Sequence, residues 1–210
     1  MVATFTTDLD IMNAALKKLG EKQQISTSDK TNAAMEMRSS YRLVLDRLIR
    51  AYDWNCCIKE DFLALKEKLK NDDRPYVYAL PADCLRIISL NGIVTGYSGT
   101  ERHERYDPLY KIRGNQLFTK LPAPLKVEYS YRNEDVSTYD PCFCDVLAFD
   151  LAIENCERIS QSSSKLNDLR QLRRESINTA LRTNSLEIPA RPKATGNWLR
   201  ARQVRTWGEL

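Results

Sequence analysis

The chain has 210 residues, of which 42% are hydrophobic and 29% charged, with a formal net charge of +4. That length suffices for one substantial core or a core plus an inserted lobe, and no run approaches the roughly 18 consecutive apolar residues of a membrane helix. A single histidine, His103, removes most His-dependent catalysis and most His-ligated metal sites. The opening residues lack a basic start followed by an apolar run, so no secretory signal is expected. Thr6-Thr7-Asp8 supplies capping residues and an acid for a first helix, in which Leu9, Met12, Leu16 and Leu19 recur at helical spacing before Gly20. A second helix is expected after Ser26-Thr27-Ser28-Asp29. Its stripe runs through Ala33, Met37, Tyr41, Val44, Leu48 and Tyr52 to Trp54, about 25 residues or ~37 Å. Each helix needs a partner for its apolar face.

From Cys57 to Arg132 the period shortens. Tyr76–Pro81 and Cys84–Leu90 are β-rich runs around a Pro-Ala-Asp turn, and Tyr110–Arg113 with Gln116–Thr119 flank Gly114-Asn115 as a hairpin. Leu125–Arg132 alternates, with Leu125, Val127, Tyr129 and Tyr131 on one face. Five or six strands are expected, mostly antiparallel because the connections are short. Helical period returns at Asp140-Pro141, an N-cap and first-turn pair, with Leu147, Leu151 and Ile159 on an apolar face. Ser162-Ser163-Ser164 reads as a break, and a fourth helix runs from about Lys165 to Leu186.

The last stretch combines Pro189, Pro192 and Gly196 with Trp198, Leu199, Arg200, Arg202 and Trp207. The prolines and glycine forbid a continuous helix, while the aromatics are too apolar for a solvated tail. Two outcomes stand open: the arm lays its Trp and Arg side chains on another molecule, as these residue types do at interfaces, or it folds back on its own domain. Charge follows the same division. Residues 165–210 hold ten Lys/Arg against four Asp/Glu, a net of +6, and the preceding 164 residues hold 22 against 24, a net of −2. A basic end of this kind suits nucleic acid, an acidic partner or simple solvation.

Six cysteines occur as C-C, C-x-C and two singles, without zinc spacing; buried free thiols are expected, with Cys142 and Cys156 at apolar helical positions. No Gly-rich phosphate loop follows an expected strand, and no nucleophile elbow is present. His103 sits in a charged loop. The acid pairs Glu60-Asp61 and Asp72-Asp73 could serve a glycosidase only at the ~5–10 Å separations that chemistry requires, which adjacency does not supply. No catalytic residue, cofactor or metal site is therefore nominated, and the chain reads as a non-enzyme.

The expected fold class is α+β: a four-helix bundle with a small, mostly antiparallel β-domain inserted between helices 2 and 3, and an extended C-terminal arm. The boundaries are 1–56 for the first two helices, 57–138 for the β-rich insert, 139–187 for the last two helices and 188–210 for the arm.

Taken in order, the segments resemble the tail tubular protein A family, the head-to-tail adaptors of short-tailed bacteriophages. The resemblance is carried by Asn13-Ala-Ala-Leu-Lys-Lys-Leu-Gly20, Arg47-Leu-Ile-Arg-Ala-Tyr-Asp-Trp-Asn55 and Tyr76-Val-Tyr-Ala-Leu-Pro-Ala-Asp-Cys-Leu-Arg86. It continues through Cys144-Asp-Val-Leu-Ala-Phe-Asp-Leu-Ala152 and the Trp/Arg tail near Trp198. It spans about residues 8–203. The sequence departs from the pattern at Cys56-Cys57, and the charged loop Gly96–Asp107 carries over no role. The resemblance implies a structural virion protein at the head-tail junction, assembled in the host cytoplasm. Twelve copies would form a ring between the portal protein and a tail nozzle similar to tail tubular protein B. Genomic DNA would pass through its channel without sequence-specific binding, and no membrane would be involved. It also implies that Trp198, Leu199, Arg200, Arg202 and Trp207 contact a neighbouring subunit or the portal. Two other functions fit parts of the composition: a tail-associated glycan-degrading enzyme, and a DNA-binding helical protein using Arg170, Arg173, Arg174 and the basic arm.

Overall fold

The computed structural model describes residues 5–21, 26, 28–70, 72–94 and 109–187. Helix α1 spans Asp8–Leu19. Thr7 caps it: its hydroxyl accepts from the Asp10 N–H at 3.3 Å, and the Asp10 carboxylate accepts from the Thr7 N–H at 2.9 Å, a reciprocal capping box. Gly20 closes the helix at φ 80°, a left-handed conformation that a side chain would strain. The backbone N–H of Thr6 leads the contacts that hold the Asp10 carboxyl below its ordinary value. A depressed carboxyl stabilises the fold above its unfolded pKa, near 3.8, and the contribution disappears as pH falls through the lower folded value. Thr7→Ala should therefore cost about 1 kcal/mol near neutral pH. In urea titrations the gap between variant and parent should narrow below about pH 4.

Helix α2 spans Asn32–Ala51, capped by Thr31, whose hydroxyl accepts from the Ala34 N–H at 3.4 Å. Its 20 residues fall short of the sequence expectation. The Tyr52 backbone turns extended at φ −140°, so Trp54 ends up beyond the helix and folds back, its indole N–H donating to the Leu48 carbonyl at 3.1 Å. A 3-10 turn, Asn55–Cys57, follows.

Among the described residues eight strands succeed one another: β1 Ile58–Leu63, β2 Leu65–Lys68, β3 Tyr76–Ala79, β4 Cys84–Leu90, β5 Ile93–Val94, β6 Tyr110–Arg113, β7 Gln116–Thr119 and β8 Leu125–Tyr131. They form two four-stranded sheets, β1-β8-β4-β5 and β2-β3-β7-β6, in which each pairing is antiparallel. The expectation of one small sheet with five or six strands is thus corrected to two. Leu63, Tyr78, Ile87, Leu90, Leu117, Leu125, Val127 and Tyr129 come from both sheets and share one apolar core. In β8 Leu125, Val127 and Tyr129 are buried as expected, but the alternation breaks at its end, where Ser130 is buried and Tyr131 only half-buried. Tyr110–Arg113 and Gln116–Thr119 form the expected hairpin, with Gly114 at φ 57° in its turn.

Helix α3 spans Pro141–Ile159, its N-terminus held by the Asp140 carboxylate, which accepts from Cys142 N–H at 2.7 Å and Phe143 N–H at 3.3 Å. Helix α4 spans Ser163–Leu186. Ser162, read from sequence as part of a break, is its N-cap and accepts from Lys165 N–H at 3.4 Å. α3 packs against α1, α2 and α4, which is why it buries residues almost all round, Phe143, Val146, Leu147, Phe149, Leu151 and Cys156 included. The helices enclose a second core containing Trp54 and Cys57. The fold is α+β: among the described residues there are four helices and two antiparallel sheets, the strands falling between α2 and α3 in the chain. The sheets meet the helices through polar ties. Arg132, just after β8, binds Asp46 of α2 through both Nε (2.7 Å) and Nη2 (2.5 Å). Arg50 donates to the Leu85 carbonyl, and Arg86 pairs with Asp53.

Candidate functional site: sheet edges, arm root and an acidic cleft

Trp198, Leu199, Arg200, Arg202 and Trp207 lie outside the described residues, as does His103. The root of the arm is described. The Asn184 side chain accepts from the Asn55 N–H at 2.9 Å and donates to the Asp53 carbonyl at 2.8 Å, while Asn55 Nδ2 donates to the Asn184 carbonyl at 2.8 Å and to Glu187 at 2.9 Å. These four bonds fix the end of α4 against the 3-10 turn after α2, so whatever follows Glu187 leaves from a rigid point.

The three arginines singled out on α4 are not equivalent. Arg173 is held by Asp150 through Nε at 2.8 Å and Nη2 at 3.1 Å, and the bond to Asp150 leads the causes that raise its pKa. Two of its guanidinium nitrogens are thus engaged by a carboxylate and its side chain is only 25% exposed, so it offers an anion less than a free arginine would. Arg170 and Arg174 are exposed, one turn apart, without a carboxylate partner among the described residues. The structure therefore leaves two of the three available to an anion.

Each sheet ends in two different edges. β1 and β2, separated only by Ala64, form one edge of each sheet, with Phe62 66% and Leu65 41% exposed; β5 and β6 form the other, with Ile93 51% and Ile112 48% exposed. Charged residues flank these side chains: the runs Lys59-Glu60-Asp61 and Lys66-Glu67-Lys68, and on β6 Lys111 and Arg113 on either side of Ile112. Charges along an edge discourage indiscriminate strand pairing. Exposed large apolar groups on the same edges are a feature of binding surfaces when they fall together.

A cleft of about 510 Å³ opens between the start of α1, the middle of α2 and the segment after β8. Its wall includes Asp8, Tyr41, Arg42, Glu134, Asp135 and Tyr139. Asp135 is occupied locally, accepting from Ser137 Oγ at 2.6 Å. Arg42 reaches Glu134 at 3.4 Å, and the Tyr139 hydroxyl donates to the Asn133 carbonyl at 2.6 Å. The Tyr41 hydroxyl is buried without a partner among the described residues, and desolvation pushes its pKa up. No sequence signal marked this cleft, because its walls come from three segments separated by more than thirty residues each.

The acid pairs are structural. Glu60 binds Lys126 at 2.7 Å and Asp61 accepts from the Phe62 N–H at 2.7 Å; as successive residues of a strand they point to opposite faces. Asp72 accepts from the Arg74 N–H at 2.9 Å and Asp73 binds Arg74 and Lys120 at 3.0 and 3.2 Å. Among the described residues no three His, Cys, Asp or Glu converge into a metal-holding group. All six cysteines are free thiols; the expectation of burial holds for Cys57, Cys144 and Cys156 and is corrected for Cys56, Cys84 and Cys142, which are half-buried. The sulfurs of Cys56 and Cys57 lie 3.7 Å apart, and the contact lowers the first thiol's pKa while raising the second's.

No helix among the described residues is long and apolar enough to cross a membrane. No family model matches the sequence, and no curated protein matches it either.

Proposed function

We propose that the chain is a structural head-to-tail adaptor of a short-tailed bacteriophage virion, similar to tail tubular protein A. Its subunits would close a ring, twelve copies by the resemblance, between portal and tail nozzle, leaving a channel for the genome. In this reading α1–α4 act as a four-helix bundle, the two sheets as the domain inserted in it, and residues 188–210 as the fastening arm.

The observation that carries the proposal is the pair of unlike edges on each sheet. A closed ring requires two different complementary surfaces on every subunit, repeated until the rotation closes. Phe62 and Leu65 on one side, Ile93 and Ile112 on the other, are large apolar groups exposed at opposite ends of the sheets. The Trp/Arg arm, leaving from the Asn55–Asn184 clamp, adds a third surface with the residue types of interface anchors.

The test is assembly. Deleting residues 189–210 should leave a folded subunit, because both apolar cores lie before Glu187. The truncated chain should show an unaltered helical circular dichroism spectrum but no longer join a ring when mixed with the portal protein of the same particle. Particle images showing rings in equal number with and without the arm would overturn its role. A full-length chain that forms no ring on any portal would overturn the adaptor itself.

A further inference from the structure

The cleft at the start of α1 and the C-terminal arm are chemical complements. Among the residues lining the cleft Asp8, Glu134 and Asp135 stand against Arg42 and Arg132, a net charge of −1, and Arg132 is already paired with Asp46 behind it. Residues 188–210 carry Arg191, Lys193, Arg200, Arg202 and Arg205 against Glu209, a net of +4. The cleft walls also offer what an indole needs: the rings of Tyr41 and Tyr139 and the side chains of Leu45 and Val136. Its volume, about 510 Å³, lies within the usual range for sites that enclose a group of this size. Trp198 and Trp207 are in turn the large apolar side chains of the arm, each with ~150–250 Å² to bury.

We infer that this cleft receives the Trp/Arg arm of a neighbouring copy of the chain, an indole lying between Tyr41 and Tyr139 and an arginine meeting Glu134 and Asp8. The inference rests on the adaptor reading for the choice of a neighbour's arm over the chain's own. The stretch from Glu187 to Trp198 can extend about 36 Å from the end of α4. Arg42 is bound to Glu134 only at 3.4 Å, with both side chains mostly exposed, so an incoming arginine can replace it at little cost.

The experiment uses a fluorescently labelled peptide of residues 195–210 titrated against the full-length protein, followed by anisotropy. Saturable binding that weakens at least tenfold in the Asp8→Lys/Glu134→Lys protein is expected. A peptide carrying Arg200→Glu and Arg202→Glu should bind the parent poorly and regain affinity for that cleft variant. Glu157→Lys, on the exposed side of α3, should change nothing. Circular dichroism of the cleft variant checks that it remains folded, and the regained affinity for the swapped peptide checks the same point functionally. Absence of binding, or binding indifferent to the cleft charges, overturns the inference. So does binding that appears only after residues 189–210 are deleted from the protein, since the chain's own arm then fills the cleft. Failure here with loss of ring assembly on arm deletion would leave the adaptor reading in place and remove only the cleft. Binding here with unchanged assembly of the deleted chain would do the reverse.

Discussion

Trp54→Ala should be the most damaging single substitution in the described part of the chain, lowering stability by about 3–5 kcal/mol. The indole is 1% exposed and packs edge-on against Phe143 at 5.0 Å and Tyr52 at 5.8 Å, ring centroid to ring centroid. Such aromatic pairs add to the burial energy itself. The truncation also strips the Leu48 carbonyl of its indole donor and removes the side chain that holds the 3-10 turn under the helices. Asn55 follows directly, so the arm root should loosen too. Urea unfolding with the m-value held constant gives the magnitude. A loss below about 1 kcal/mol, the range of a surface substitution, would mean the turn is not held by this ring.

The second large effect concerns Arg173 and Asp150, whose side chains are 25% and 15% exposed. Arg173→Leu should cost about 2–4 kcal/mol, because it leaves a mostly buried carboxylate with no counter-charge. Asp150→Leu should be damaging for the mirror reason. The double replacement, Asp150→Leu with Arg173→Leu, should return to within about 1 kcal/mol of the parent, since two apolar side chains avoid both desolvation costs. The cycle of four proteins measures the coupling directly. If the double variant were as unstable as the two single losses added together, the pair would contribute through packing rather than through charge.

Local signals were the legible ones. Thr7, Gly20 and Asp140-Pro141 mark helix ends whose chemistry is carried by two or three neighbouring residues, and Gly114-Asn115 marks its hairpin in the same way. The end of α2 was misread because Tyr52 and Trp54 continue the helical stripe; both are apolar, and both serve the core from a non-helical backbone. β1 and β2 escaped notice for a different reason. Edge strands here face solvent widely, so Lys59-Glu60-Asp61 and Lys66-Glu67-Lys68 replace the alternation that betrays β8. Ser162-Ser163-Ser164 looks like a linker but starts α4 almost without interruption. The arm was visible as an anomaly of composition, whereas the cleft required three distant segments to be brought together, which periodicity cannot report.

The two strands that lead into and out of the β region lie side by side. Ile58 at the start of β1 is paired with Ser130 near the end of β8, and the Asn133 amide donates to the Cys56 carbonyl at 2.8 Å just beneath them. The two legs by which the strand region joins the helices in the chain are therefore stitched together, beside the ties made by Arg50, Arg86 and Arg132. Such closely spaced ends are what allow a module to be inserted or exchanged without disturbing its host. An exchanged strand region between Cys57 and Asn133 would enter and leave the helical part at one place, and it would have to keep Arg86 and Arg132 to meet Asp53 and Asp46.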